Sequence, residues 1–88
     1  MSIQVTRDIQ RGRIPVRIGI KLQGWVNDVE RRGLEEVRKT SGYHDEPLSG
    51  DRRGQRSIRL NRQWRAIYEV RETGALHVWV EEVTPHKY

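Results

Sequence analysis

The chain has 88 residues, of which 34% are hydrophobic and 33% charged, with no cysteine and a formal net charge of +5. A chain of this length closes only one hydrophobic core, so the sequence predicts a single domain over residues 1–88. The lack of cysteine excludes disulfides and thiolate metal sites. No apolar run reaches the length of a membrane span or of a signal peptide, so we expect a cytoplasmic protein without membrane contact.

Arginine supplies 14 of the 17 basic residues, and these residues are unevenly distributed along the chain. Residues 51–65 hold six arginines and one acidic residue, with Trp64 among them. Arginine can bind phosphate through two parallel hydrogen bonds and keeps its charge at any working pH. The segment therefore favours contact with a polyanion, above all nucleic acid, although a merely solvated charged face has the same composition.

The predicted elements begin with a weak pattern. Alternation at Ile3 and Val5 predicts a short strand, and Thr6 is a candidate N-cap for a helical turn after it. From Pro15 onward, apolar residues recur at the spacing of an α-helix, and Gly33 is a natural end for that helix. The members of this stripe are Ile18, Leu22, Trp25, Val26 and Val29. We expect the stripe, with Trp25 in it, to face the core.

A polar loop follows this helix. Residues 34–39 are expected to add one more helical turn, and turn signals lie at residues 40–42 and 47–50. Loops between turn signals often carry binding chemistry. The loop residues with titratable or aromatic polar side chains are Tyr43, His44, Asp45 and Glu46.

Three runs of alternating residues complete the chain, at 57–60, 64–70 and 76–81. The connections between them are short enough for hairpins, so they predict an antiparallel meander. The alternation directs Ile58 towards the helix stripe and Arg59 towards solvent. With the apolar faces brought together, Arg59 and Arg65 are predicted to emerge on the same surface.

Four segments carry a pattern that is specific in combination. They are residues 42–52, 54–60, 64–68 and 82–88, which read GYHDEPLSGDR, GQRSIRL, WRAIY and EVTPHKY. Together they resemble the RelE/ParE superfamily of toxins from type II toxin–antitoxin systems, most of all its HigB-like and RelE-like ribonuclease branch. The resemblance covers the chain from Ile14 to its last residue.

This resemblance implies an α+β, RelE-like fold in which N-terminal helices pack on a small twisted antiparallel sheet. It also implies an endoribonuclease that cleaves messenger RNA in the ribosomal A site, without a metal or cofactor, and so inhibits translation. The implied partners are a cognate antitoxin protein, messenger RNA and the ribosome, with DNA reached only through the antitoxin complex. Two alternatives remain on the same fold: a ParE-like poison of DNA gyrase, and an inactive module that binds nucleic acid or the antitoxin.

Carried over residue by residue, the resemblance assigns catalysis to Arg65 on the W-R-x-x-Y strand and to His86 and Tyr88 near the C-terminal end. Several members of the family carry a histidine just before the P-L dipeptide, where this chain has Glu46. Some HigB toxins have a lysine at the position of Ser49.

Metal-free RNA cleavage needs a base for the 2′-hydroxyl, cations for the charged phosphorane and an acid for the departing 5′-oxygen. The candidate bases are Glu46, His86 and Tyr88, and His86 is also the candidate acid because a free histidine titrates at about pH 6.5. The candidates for substrate binding are His44, Arg56, Arg59 and Trp64, with Trp64 as a stacking platform for a base.

These candidates also have structural interpretations. Arg65 is in reach of an ion pair with Glu69 or Glu81 across the sheet, and Trp64 has the character of a packing residue. His44 beside Asp45 is typical of a hydrogen-bonded turn. An acidic or amphipathic antitoxin segment is expected either to cover Arg59 and Arg65 or to displace the C-terminal tail.

Overall fold

A helical N-terminal part precedes a sheet in the computed structural model, which describes residues 1–72 and 76–85. The helices are α1 (Ile3–Gln10), α2 (Val16–Arg32) and α3 (Leu34–Arg38), and the strands are β1 (Glu46–Pro47), β2 (Arg56–Arg59), β3 (Trp64–Glu72) and β4 (Leu76–Pro85). The strands are antiparallel in the order β1-β2-β3-β4. The predicted α+β class is confirmed. Within the described residues, every helix is too short or too polar to cross a membrane.

The start of the chain is helical, so the predicted first strand is wrong. Ser2 caps α1, since its Oγ accepts a hydrogen bond from the Val5 amide at 3.2 Å. The cap satisfies the Val5 amide, which has no hydrogen-bond partner within the helix. The side chain of Val5 is buried in the core. Two alternating apolar residues are too few to distinguish a strand from an amphipathic helix.

Helix α2 confirms the helix that the sequence predicts between Pro15 and Gly33. Pro15 is its N-cap, and Gly33 ends it with a φ of 84°, a conformation that a side chain would disfavour. Ile18, Leu22 and Trp25 are buried along one stripe. Helix α3 supplies the extra turn expected after it and buries Val37.

The sheet confirms the three-stranded meander and adds β1, which was not predicted. Its inner face, defined here as the face that packs on the helices, carries most of the buried apolar side chains of the sheet. The opposite face is called the outer face. The buried inner-face residues are Ile58, Ala66, Tyr68, Val80 and Val83. The Trp25 and Tyr68 rings lie 4.9 Å apart between their centroids, which joins α2 to the middle of the sheet.

A β-bulge interrupts the pairing of β3 with β4. Ile67 is opposite Glu82 and Tyr68 is opposite Val80, so Glu81 is an extra residue in β4. Because side chains alternate along a strand, one extra residue exchanges the faces beyond it. Val83 consequently returns to the core, and Thr84 lies on the outer face.

Candidate active site on the outer face of the sheet

The turn between β2 and β3 sets the register that builds the site. Asn61 Oδ1 accepts hydrogen bonds from the amides of Gln63 and Trp64, at 2.8 and 2.7 Å. In the resulting register Arg59 lies directly opposite Arg65. Residues that are directly opposite in an antiparallel pair share a face. The prediction that Arg59 and Arg65 emerge on one surface is therefore confirmed.

Strand β1 adds a carboxylate to the same surface. Glu46 is paired with Ser57 of β2, on the outer face. Glu46 Oε1 lies 3.5 Å from Arg65 Nη1, and this same nitrogen lies 3.5 Å from the hydroxyl oxygen of Ser57. Glu46 and Arg65 are thus brought together, although they are 19 residues apart in the sequence.

The Glu46–Arg65 pair is loose and open. Strong charge-assisted hydrogen bonds are about 2.7–2.9 Å long, so a separation of 3.5 Å leaves both groups able to bind something else. The Glu46 side chain is 49% exposed, whereas that of Arg65 is 16% exposed. The arrangement offers an accessible proton acceptor beside a largely desolvated cation.

The ion pairs considered for Arg65 with Glu69 or Glu81 belong to another arginine. Arg71 Nη2 lies 2.6 Å from Glu69 and 3.8 Å from Glu81, and the Arg71 guanidinium stacks on Trp79 with 4.3 Å to the ring centroid. Arg71, Trp79 and the two carboxylates form a separate cluster further along β3 and β4. Arg65 is paired with Glu46 instead.

Arg56 and Trp64 are not brought to Arg65. Arg56 is paired with the buried Tyr68 on the inner face, where its Nε donates to Asp45 at 2.6 Å. Trp64 shares the inner face with Ala66 and packs against the hydrophobic core. The strand register therefore places Arg56 and Trp64 on the face of the sheet opposite to Arg65.

His44 is exposed and lies at the end of a 3-10 turn formed by Ser41–Tyr43. Its φ of 51° is in the left-handed region, which is uncommon for residues other than glycine. The expected hydrogen-bonded pair with Asp45 is replaced by contacts of the Asp45 carboxylate with β2 and β3. The remaining candidates, His86 and Tyr88, lie outside the described residues.

A buried cluster behind the site was missed by the sequence analysis. The Asp45 side chain is only 1% exposed, and its two oxygens accept hydrogen bonds from Arg56 Nε at 2.6 Å and from the Tyr68 hydroxyl at 2.5 Å. Burial, followed by the hydrogen bond to Asp45, raises the pKa of Tyr68 well above its ordinary value of 10. Arg56 could have indicated this cluster from the sequence. Alternation along β2 directs its charged side chain to the inner face, and a charge there needs a partner of opposite charge.

Two further facts define the surroundings of the site. Arg52, in the turn between β1 and β2, forms an ion pair with Glu82 of β4, so this turn reaches across to the last strand. Among residues 1–72 and 76–85, no group of three His, Asp or Glu side chains is arranged to hold a metal ion.

Comparisons with known proteins bear on the fold. No protein-family model matches the sequence, and no curated protein matches it. Among solved structures, the chain is similar to a YoeB/ParE toxin from Agrobacterium tumefaciens, with a TM-score of 0.65 and 24% sequence identity. The match covers 86% of this chain and 81% of the toxin. The two proteins share a fold, and this is the RelE-like fold that the sequence motifs imply.

Proposed function

We propose that the protein is the toxin of a type II toxin–antitoxin system and cleaves messenger RNA on the translating ribosome. The observation that supports this most directly is the open Glu46–Arg65 pair beside Arg59, on a fold shared with a YoeB/ParE toxin. Fold alone does not determine activity, so the proposal depends on the chemistry of these three side chains.

In the proposed reaction Glu46 is the general base. Its half-exposed carboxylate accepts the proton of a 2′-hydroxyl, and the resulting oxygen attacks the adjacent phosphorus. The loose contact with Arg65 favours this role, because a carboxylate with one long contact keeps lone pairs for the incoming hydroxyl. Arg65 keeps the base oriented until substrate arrives.

Arg65 and Arg59 are the proposed ligands of the phosphate. The attack concentrates negative charge on the non-bridging oxygens, and fixed cations stabilise that charge most strongly where water is excluded. Arg65 is largely shielded from water, and Arg59 lies opposite it on the neighbouring strand. Two guanidinium groups on one rigid sheet face provide several donors for a single phosphate.

The departing 5′-oxygen then takes a proton, the P–O5′ bond breaks, and a 2′,3′-cyclic phosphate and a 5′-hydroxyl are formed. We assign this proton to His86 or Tyr88, following the family resemblance. Ribosomal cleavage also implies that the protein acts in the cytoplasm.

The proposed antitoxin contact follows from charge. The chain carries a net charge of +5, and Arg59 and Arg65 are part of its most basic segment. An acidic or amphipathic segment of a cognate antitoxin would neutralise this face and occupy the place of the substrate.

Induced expression tests the proposed activity. Wild type and the Arg65→Ala variant are expressed separately, and the 5′ ends of cellular transcripts are mapped. We expect growth arrest with cleavage inside translated frames for wild type, and loss of both for Arg65→Ala. The control is Arg71→Ala, which removes another arginine of the outer face and should leave cleavage intact. Growth arrest with intact transcripts would contradict the ribonuclease and lead to an assay of DNA gyrase; no arrest would indicate an inactive binding module.

A further inference from the structure

We propose that Asp45 is a positioning residue, whose buried carboxylate on the inner face holds Glu46 beside Arg65 on the outer face. This inference rests on the proposed function, since it concerns the geometry of the proposed base. Asp45 touches neither the substrate nor the reacting atoms; it acts through the residue that follows it.

The Asp45 carboxylate is fixed by donors from two strands. One oxygen binds Arg56 of β2 at 2.6 Å, and the other binds the hydroxyl of Tyr68 of β3 at 2.5 Å. Both contacts are short, and the side chain is 99% covered. A buried charge that lost these partners would be strongly destabilised, so the carboxylate has essentially one position.

Tyr68 makes this anchor rigid. Its ring is fully buried and packs on Trp25, at the centre of the contact between α2 and the sheet. The raised pKa of Tyr68 keeps the proton on its hydroxyl, which therefore remains a donor to Asp45. The Asp45 carboxylate, called the anchor here, is thus held by a residue of the hydrophobic core.

Strand β1 needs such an anchor. It consists of Glu46 and Pro47 alone, and a strand of two residues has too few ladder hydrogen bonds to stay paired without support. Proline has no amide hydrogen to donate, which weakens the ladder further. The preceding His44 adopts a left-handed conformation that costs free energy, so contacts elsewhere must impose the path of this segment.

The anchor also determines where Glu46 points. Consecutive residues of an extended chain project to opposite faces. Asp45 is held on the inner face, so Glu46 is directed to the outer face, where it meets Arg65 at 3.5 Å. A catalytic group displaced by about 1 Å can lose roughly 100-fold in rate, so an anchor next to the base matters for activity.

The test measures cleavage of messenger RNA on stalled ribosomes by Asp45→Asn, with Tyr68→Phe as a milder second variant. We expect the maximal cleavage rate to fall about 10- to 100-fold, with KM within about threefold of wild type. Tyr43→Phe is the matched control, because the Tyr43 hydroxyl donates to Asp28 of α2 at 2.6 Å, in a similar tyrosine–aspartate pair that includes neither Asp45 nor Glu46. Its rate should stay within about twofold of wild type.

A double variant separates positioning from a merely structural role. If Asp45 acts through Glu46, then Asp45→Asn added to Glu46→Gln should cause no further loss of rate. Multiplied losses would overturn the inference, and so would a wild-type rate in Asp45→Asn. If Asp45→Asn fails to fold, Tyr68→Phe is combined with Glu46→Gln in its place, and the same comparison of single and double variants decides the question.

A measurement on the free protein separates this inference from the proposed function. The ¹³C shift of the Glu46 side-chain carboxyl and the Arg65 Nε–Hε resonance should move in Asp45→Asn and stay unchanged in Tyr43→Phe. If wild type cleaves no RNA, the proposed function fails, while these shifts still test the anchor. Unmoved Glu46 and Arg65 resonances in Asp45→Asn would overturn the anchor even in an active enzyme.

Discussion

Each face of the sheet carries a carboxylate–arginine pair, and the two pairs differ in burial and in length. On the inner face Asp45 and Arg56 form a contact of 2.6 Å with the carboxylate 1% exposed, and on the outer face Glu46 and Arg65 form a contact of 3.5 Å with the carboxylate 49% exposed. Two consecutive acidic residues, Asp45 just before β1 and Glu46 at its start, thus contact arginines on opposite faces of the sheet. Burial makes the first pair a fixed support and leaves the second available for reaction.

The largest expected effect is on stability, at the inner face. Asp45→Ala leaves Arg56, whose side chain is 24% exposed, without its carboxylate, and it leaves the Tyr68 hydroxyl without an acceptor. We expect a loss of about 3 kcal/mol in the free energy of unfolding, measured by urea denaturation. The same truncation at the next residue, Glu46→Ala, should cost less than about 1 kcal/mol. Equal losses at the two positions would remove the contrast between the faces.

The next effect is on activity, at the outer face. Glu46→Gln keeps the size of the side chain and removes its basicity, so we expect the cleavage rate on ribosomes to fall at least about 100-fold with little change in stability. The control is Glu82→Gln, which alters another outer-face carboxylate, the partner of Arg52. An undiminished rate in Glu46→Gln would transfer the role of base to His86 or Tyr88.

A smaller effect distinguishes the two tyrosine–aspartate pairs. Tyr68→Phe removes a donor from a carboxylate inside the core and should lower the free energy of unfolding by about 1–3 kcal/mol. Tyr43→Phe removes a similar bond at a half-buried site and should cost about 1 kcal/mol. Thermal and urea denaturation of both variants give these values. The reverse order would mean that burial does not set the strength of these pairs.

Alkaline pH should weaken the fold through the same tyrosines. Burial and the hydrogen bond to Asp28 raise the pKa of Tyr43 to about 12, above the value of 10 expected in an unfolded chain. The stabilisation is therefore complete below pH 10, and it is lost as the pH rises from 10 through about 12. Urea denaturation between pH 8 and 12 should show this decline, and the decline should be shallower in Tyr43→Phe. A free energy of unfolding that stays constant over this range would contradict the prediction.

The smallest effect is expected for the ion pair that joins the β1–β2 turn to β4. The Arg52 and Glu82 side chains are 43% and 38% exposed. Arg52→Ala should change the free energy of unfolding by less than about 1 kcal/mol, and the change should shrink at high salt. A larger, salt-independent loss would show that the turn is held more tightly than an exposed pair allows.

The spacing of apolar residues was sufficient to predict those helices and strands that are long enough for the spacing to repeat. The five apolar residues of α2 define its buried stripe, and alternation with short turns defines β2, β3 and β4. Helix α1 and strand β1 were not predicted correctly, because α1 offers only two apolar residues in its first turn and β1 has two residues in all. Their structures depend on distant partners: Ser2 binds β4, and Asp45 binds β2 and β3.

In the candidate site, too, the features set by local sequence were predictable and those set by distant contacts were not. Strand parity was enough to place Arg59 and Arg65 on one face, and the same parity places Arg56 and Trp64 on the other. The approach of Glu46 to Arg65 depends on the path of the turn between β1 and β2, which no local pattern specifies. The Asp45 anchor was missed because a buried carboxylate is recognised only with its donors, and these are 11 and 23 residues away.

Ser2 has a consequence for the order of folding. Its amide donates to the Val80 carbonyl at 2.8 Å, and its hydroxyl donates to the Glu81 carbonyl at 2.9 Å, which joins residues 79 positions apart. A contact of such separation closes a loop that contains most of the chain, and contacts of that kind form slowly. Helix α1 should therefore dock only after β4 has paired with β3. In pulse-labelled refolding, the Ser2 and Val5 amides should gain protection from exchange last.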